Sequence, residues 1–277
     1  MKSVVADYRY RVLCMKIVSV VGSTIYLTDH VTDLLMSGHT YISTSGYQFT
    51  GYSAGSDFSP STIDIEGIAG VAGISRAAIS SGVFDGARCY VFATDWTSPT
   101  EDEEQITVGV FGKATIMDDR YTITGVSLID ALNQSVGDTY GAQCPKKFGG
   151  TEYAGCGVTL TYPNTVTGTL TGVASASVFS DSTRPEAADT FTAGTIKFTT
   201  GLNAGLKPIE IKAYGAGGVI YTYETFYYLP ANGDSYEMVR GCRKRLSDCQ
   251  AYGNVVNFGG HLWIPAGSTY AHVGKSG

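Results

Sequence analysis

The chain has little charge, and its positive charges form no large cluster. Only 16% of its 277 residues are charged, against about a quarter in an average soluble protein. The formal net charge is −6, and the longest basic run is Arg243-Lys244-Arg245. This excludes a protein that grips nucleic-acid phosphates, which needs several Lys and Arg on one surface. It is compatible with an acidic wall along which nucleic acid passes without specific binding, because like charges repel.

Long apolar runs are also missing. The stretch from Val12 to Val21 is interrupted by Lys16, and no small-residue cleavage site follows at the right distance, so we expect no signal peptide. No run approaches the length that spans a bilayer, so we expect no membrane segment. We therefore expect the chain to be made in a bacterial-type cytosol, where thiols stay reduced.

The abundant residues favour β-structure. The chain has 35 glycines and 19 tyrosines, and with frequent Thr, Ser and Val this is typical of strands joined by tight turns. Gly22-Ser23 lies between two strand-like runs and predicts a hairpin. The best helix candidate of the first half is Ser127–Ser135, which also marks the end of the first domain. We predict an all-β fold with few short helices and two β-rich domains, residues 1–137 and 138–277.

Two further features allow a structural and a functional interpretation. The acidic run Glu101–Glu104 predicts a solvated loop rather than a cation site. The strand-like run Val219–Tyr228 is rich in tyrosine, which predicts sheet packing rather than a sugar-stacking platform. The tyrosines concerned are Tyr221, Tyr223, Tyr227 and Tyr228.

The six cysteines fall into two classes. Cys14 and Cys89 lie inside apolar strand-like runs, so we interpret them as small buried hydrophobes. The other four form two pairs, one before and one after the strands of the second domain. Two cysteine-bearing loops at opposite ends of a sheet can bring four thiolates to one point, and neighbouring glycines let backbone N–H groups approach the sulfurs. The candidate ligands are Cys144, Cys156, Cys242 and Cys249.

Three chemistries compete for this set. Disulfides are disfavoured by a reducing compartment. A helix from Cys242 to Cys249 would also place the Cα atoms about 10.5 Å apart, beyond the roughly 7 Å that a bridge allows, although bridges between the two pairs stay open. Structural zinc accepts four thiolates, but the usual pairs have about two to four intervening residues, and here the intervals are eleven and six. An iron–sulfur cluster is larger and accepts ligands from wider loops. Spacing favours the cluster without excluding zinc.

Of the four histidines, only His261 is close enough in sequence to support these cysteines.

Several motifs carry a family resemblance. The most specific lie towards the C terminus, namely Gly233–Cys242, Cys249, Asn254–Phe258 and Ile264–Gly267. The same pattern includes Cys144–Val158, Phe191–Gly205, and Ser81–Ala87 followed by Asp95-Trp96. Over nearly its whole length the chain resembles the tail hub proteins of gene-transfer agents and of long-tailed, siphovirus-type phages. Its C-terminal part is similar to the cysteine-rich domain of the phage lambda tail-tip protein L.

The resemblance implies a virion protein at the tail tip, assembled in the host bacterial cytoplasm. It implies a homotrimeric ring around the DNA-exit channel, between the distal tail protein and the central fibre, with a contact to the tape-measure protein also open. It further implies a barrel-like hub domain followed by a C-terminal iron–sulfur domain. The implied cofactor is a structural 4Fe–4S cluster, with ligands that map one by one onto Cys144, Cys156, Cys242 and Cys249.

We expect no enzymatic activity, and we keep three alternatives. A cell-wall-degrading component would need a nucleophile beside a histidine, for which Cys89 has no local signature, or a carboxylate pair, which no motif marks. A receptor- or sugar-binding tail-tip component would use the tyrosine-rich strand. A structural zinc-binding module would use the same four cysteines. Electron transfer is disfavoured because no second cofactor motif accompanies the cysteines.

Overall fold

A computed structural model describes residues 4–5, 7–43, 47–52, 62–68, 74–128 and 140–263. The chain divides into two compact units, Met1–Ser135 and Val136–Gly277. Strands dominate both units, and the helices of the described residues are short, which confirms the all-β prediction. Within the same residues, no helix is long and apolar enough to cross a membrane.

The described part of the first unit is built on one antiparallel sheet. Its elements are β1 (Arg11–Val18), β2 (Thr24–Thr28), β3 (Leu34–Met36), β4 (His39–Tyr41), β5 (Tyr47–Tyr52), β6 (Thr62–Ile68), α1 (Arg76–Ser80), β7 (Arg88–Asp95), β8 (Glu104–Met117) and β9 (Arg120–Ser127). The sheet order is β2-β1-β7-β8-β9-β6-β5, and β3 and β4 form a separate hairpin. The turn predicted at Gly22-Ser23 joins β1 to β2, as expected.

Both faces of this sheet are covered, because apolar residues of β1 alternate between them. Met15 and Ile17 pack on one face with Phe111. Cys14 packs on the other face with Tyr41 of the β3–β4 hairpin. Cys14 and Cys89 are fully buried, and burial raises the pKa of each thiol to about 12. They are small buried hydrophobes, as predicted.

The acidic run is not the solvated loop that the sequence predicted. Glu101 pairs with Lys16 at 2.8 Å and Glu104 with Arg11 at 3.1 Å, and both carboxylates are largely buried. Glu103 accepts a hydrogen bond from the Thr94 hydroxyl at 2.8 Å. The prediction failed because charge density in the sequence does not reveal cations on strands distant along the chain. The run anchors the β7–β8 connection.

The described part of the second unit is a second antiparallel sheet followed by a short helix. Its elements are β10 (Thr165–Thr169), β11 (Gly172–Ser175), β12 (Val178–Ser180), β13 (Thr195–Phe198), β14 (Ile209–Gly215), β15 (Val219–Thr222), β16 (Ser235–Val239) and α2 (Leu246–Ala251). The strand order is β10-β16-β13-β14-β15-β12-β11. A single 3-10 turn, Val255–Asn257, follows α2. The core contains Phe179, Phe191, Phe198, Phe226, Tyr236 and Met238.

The strand predicted over Val219–Tyr228 ends at Thr222, and Tyr221, Tyr223 and Tyr227 are exposed. The sheet packing predicted for them is therefore wrong. The helix predicted over Ser127–Ser135 falls almost entirely outside the described residues.

Candidate metal centre

The four candidate cysteines come from two segments of the second unit, one before its strands in the sequence and one after them. Cys144 and Cys156 lie in irregular chain before β10. Cys242 follows β16, and Cys249 is on the buried face of α2. β16 can deliver Cys242 only because residue 241 is glycine: a Cβ there would collide with the Ala193–Gly194 backbone. Because α2 begins only at Leu246, the segment from Cys242 to Cys249 is a loop followed by a helix and not one continuous helix.

A Schellman motif ends α2 and turns the chain back towards Cys249. Gly253 has φ +63°, in the left-handed region that favours glycine. The Gly253 N–H donates to the Gln250 carbonyl at 2.9 Å, and the Asn254 N–H donates to the Cys249 carbonyl at 2.9 Å. The Cys249 thiol then donates to the Asn254 carbonyl at 3.1 Å. Backbone geometry therefore places Asn254 directly against a candidate ligand.

The structure brings the four cysteines into one electrostatic environment. Burial is the largest cause that raises the pKa of the Cys249 thiol, and the next causes are the three other candidate thiols. Burial likewise raises the pKa of Cys242, with a smaller contribution from Cys156. The Cys144 N–H also donates to the Lys244 carbonyl at 2.9 Å, which joins the two cysteine segments.

N–H groups point at three of the four sulfurs. The Lys244 N–H donates to Cys242 Sγ at 3.4 Å, and the Gly259 N–H donates to Cys144 Sγ at 3.4 Å. The Asn254 side-chain amide lies 3.6 Å from Cys156 Sγ. Donors of this kind stabilise thiolates and are what a metal–sulfur site requires around its ligands. The donor set therefore fits a thiolate-bound inorganic group.

The thiols do not close up on a single point. All six cysteines are free, so none of the disulfides considered above is formed. Among the described residues, no group of three or more His, Cys, Asp or Glu side chains is placed to hold a metal ion.

Lysines and an asparagine complete the surroundings, and their roles were not predicted from the sequence. Lys146 Nζ donates to the Asn257 carbonyl at 2.8 Å, and its positive charge lowers the pKa of Cys249. Lys244 Nζ donates to the Lys146 carbonyl. Nothing in the spacing singles out these residues, since their contacts cross about a hundred residues of chain. The His261 ring packs on Tyr140, with the ring centroids 4.8 Å apart, and its backbone N–H donates to the Gly141 carbonyl, so neither contact supports a cysteine directly.

A cavity of about 220 Å³ lies beside the Cys242 loop. Its walls carry both charges, with Arg243 paired to Asp189 at 2.7 Å. Arg240 Nε and Asp248 Oδ2 are buried there without hydrogen-bond partners. The described residues that line it include no cysteine, serine or histidine. This cavity therefore presents no thiol or serine–histidine nucleophile.

Two family models match the chain. The family model described as "Baseplate hub protein, N-terminal attachment domain" matches residues 6–159, a range that includes Cys144 and Cys156. The model described as "Phage conserved hypothetical protein BR0599" matches residues 189–267, a range that includes Cys242 and Cys249. No curated protein matches the chain.

One solved structure has the same fold over nearly the whole chain. It is a chain of the structure titled "Virion of native gene transfer agent (GTA) particle", with a TM-score of 0.79. The alignment covers 94% of this chain and 90% of that chain, at 22% sequence identity. This likeness concerns the fold, which both chains keep despite low identity.

Proposed function

We propose a specific tail-tip role from one premise: the chain belongs to the baseplate hub protein family, whose model covers residues 6–159. As a baseplate hub protein it is a structural component of the virion tail. The finer proposal is that it forms a ring at the distal end of the tail tube, around the channel through which DNA leaves. The gene-transfer-agent virion chain that shares the fold supports placing it in such a particle.

We further propose that the ring is a homotrimer between the distal tail protein and the central fibre. The low charge of the chain supports a protein that covers much of its surface with partners. Large apolar side chains are exposed on the second unit, and they are available for such contacts: Leu202, Leu229, Val256 and Trp263. The net charge of −6 favours passage of DNA without sticking.

The second unit is proposed to hold a structural 4Fe–4S cluster on Cys144, Cys156, Cys242 and Cys249. The observation that carries this proposal is a set of N–H groups directed at three of the four free thiols, in two segments that are hydrogen-bonded to each other. When bound, the cluster supplies a covalent link between the segments before and after the sheet, as structural metals do when they couple binding to folding. The chain's own residues bind it, orient the sulfurs and bury them.

Particle assembly tests this function. Cys249→Ser removes one proposed ligand with little change in size, and Cys14→Ala is the matched control because Cys14 is a buried thiol of the first unit. We expect particles with Cys249→Ser to lack infectivity or gene-transfer activity and the second unit to unfold at lower temperature, while Cys14→Ala particles stay active. Antibody against the chain should label the tail tip by electron microscopy. Active Cys249→Ser particles, or label on the capsid, would contradict the proposal.

We propose that the protein is not an enzyme, in keeping with the structural character of its family. Two alternatives have a specific feature in their favour. Zinc could occupy the same four thiols, and it differs from the cluster in metal content. A receptor- or sugar-binding role is favoured by the exposure of Tyr221, Tyr223 and Tyr227, because sugars stack on exposed aromatic rings. Replacing these three by serine should abolish adsorption to host cells under that alternative and leave it unchanged under the structural one.

A further inference from the structure

We propose that Asn254 is the positioning residue of the cysteine site and that it latches the Cys156 loop onto α2. The inference rests on the proposed function for what the site holds, but the latch itself is a property of the polypeptide. Asn254 is half-buried and contacts both cysteine segments at once. It is not one of the proposed ligands.

First, the side-chain amide of Asn254 contacts Cys156. Its Nδ2 donates to the Cys156 carbonyl at 2.7 Å and lies 3.6 Å from Cys156 Sγ. The backbone of the same residue accepts the Cys249 thiol at 3.1 Å. Asn254 therefore contacts one cysteine from the segment before the sheet and one from the segment after it. Asn254 and Cys156 are 98 positions apart in the sequence.

The second step is the orientation of that amide. Asn257 Nδ2 donates to Asn254 Oδ1 at 2.7 Å, and this contact assigns the oxygen to Asn257 and leaves the nitrogen for Cys156. Asn257 is held in turn by Lys146, whose Nζ donates to the Asn257 carbonyl at 2.8 Å. Lys146 belongs to the Cys144–Cys156 loop. Two hydrogen bonds therefore connect the cysteine segments here: one from Asn254 to the Cys156 carbonyl and one from Lys146 to the Asn257 carbonyl.

The third step is the effect on the sulfurs. The Asn254 side-chain amide lies 3.6 Å from Cys156 Sγ, so an N–H donor is in place beside this sulfur, as is usual around metal ligands. Hydrogen bonds to cluster sulfurs and nearby charge are among the factors that set the reduction potential of an iron–sulfur centre. Asn254 should accordingly influence both the retention of iron and the potential of the bound group.

The test uses Asn254→Asp in the full chain. The carboxylate has the same shape and can still accept from Asn257, but it cannot donate to the Cys156 carbonyl. Asn164→Asp is the matched control: Asn164 Nδ2 donates to the Thr159 carbonyl at 2.9 Å in the same unit, without contacting a thiol. Hydrogen exchange of metal-free protein, iron binding and midpoint potential are compared with the wild type.

We expect faster hydrogen exchange in the Cys144–Cys156 loop of metal-free Asn254→Asp. In Asn164→Asp, hydrogen exchange in this loop should match the wild type. Iron binding should weaken roughly 10- to 100-fold, as for other groups that support metal ligands. The midpoint potential should fall because a carboxylate replaces a neutral donor. Wild-type exchange and potential in Asn254→Asp would overturn the inference. If the wild type holds no iron yet exchange still accelerates, the latch stands and the cluster proposal fails.

Discussion

At the scale of single residues, buried hydrogen bonds organise the second unit around a few polar side chains. Asp181 is fully buried, and its Oδ2 accepts from the Tyr236 hydroxyl at 2.7 Å. Its Oδ1 accepts from the Thr183 backbone at 3.0 Å and hydroxyl at 2.6 Å. Such an acid is tolerated in a core only while these donors remain, since an unsatisfied buried group is costly. The Asp181–Tyr236 pair thus couples β16 to the turn after β12.

Tyr236→Phe should lower the free energy of unfolding of the second unit by about 1–3 kcal/mol, because the buried Asp181 carboxylate loses a donor. Urea denaturation followed by fluorescence measures this. Tyr227→Phe is the matched control, because Tyr227 is exposed and the same hydroxyl loss there should cost nothing measurable. An unchanged midpoint for Tyr236→Phe would contradict the role given to this pair.

The same carboxylate predicts a pH dependence. Burial raises the pKa of Asp181, but hydrogen bonds from Thr183 and Tyr236 outweigh burial and hold the pKa below its ordinary value of 3.8. Asp181 therefore adds stability above that value, and the contribution is lost as pH falls through the lower folded-state pKa. In Tyr236→Phe the folded-state pKa of Asp181 should rise, so the loss of stability should be smaller and should be complete at higher pH. Identical acid-denaturation curves for the two proteins would refute this.

At the scale of elements, short turns and caps decide where the cysteines lie. α2 contributes only Leu246–Ala251, and without tertiary contacts so short a helix is unstable. Its C-terminal Schellman motif is therefore part of the site, because the motif carries the chain from Cys249 to Asn254. The glycine at position 253 makes this turn possible.

Gly253→Ala should destabilise the end of α2 by roughly 1–2 kcal/mol, the cost of a Cβ in the left-handed conformation. It should also increase the loss of bound metal, since Asn254 is displaced with the turn. Gly141→Ala is the control, because a Cβ there meets nothing and the backbone has no left-handed φ. Thermal unfolding and the rate of metal release are measured for both variants. Equal values for the two would contradict the role given to the helix cap.

Some of these elements could be predicted from the sequence and others could not. The glycine turn between two strand-like runs gave the hairpin at Gly22-Ser23, which joins β1 to β2. The tyrosine run failed because strand propensity does not reveal where a strand leaves its sheet. The four cysteines were identifiable because their residue type carries the chemistry. Asn254 and Lys146 were not, because their partners are set by tertiary structure alone.

At the scale of the whole molecule, the hub family explains why a chain with little charge exposes large apolar side chains. Trp263 and Val256 are almost fully exposed, at a level that suits surfaces covered in an assembly. The likeness to the lambda tail-tip protein stays a prediction, as do the ring and its partners.

The purified chain is expected to form trimers. Light scattering after size-exclusion chromatography should give three times the chain mass of 29.3 kDa, because a closed ring uses the same interface on every copy. Trp263→Ser should weaken the assembly if this exposed side chain is part of the interface. A monomer at every concentration measured would contradict the homotrimer.

The most direct measurement is the metal and sulfide content of the full chain purified without oxygen. We expect a brown protein with a broad visible shoulder, containing iron and acid-labile sulfide in equal amounts. We also expect all four thiols of the second unit to resist alkylation until the iron is removed. Zinc without iron, or four thiols that react freely in the fresh protein, would contradict the central claim.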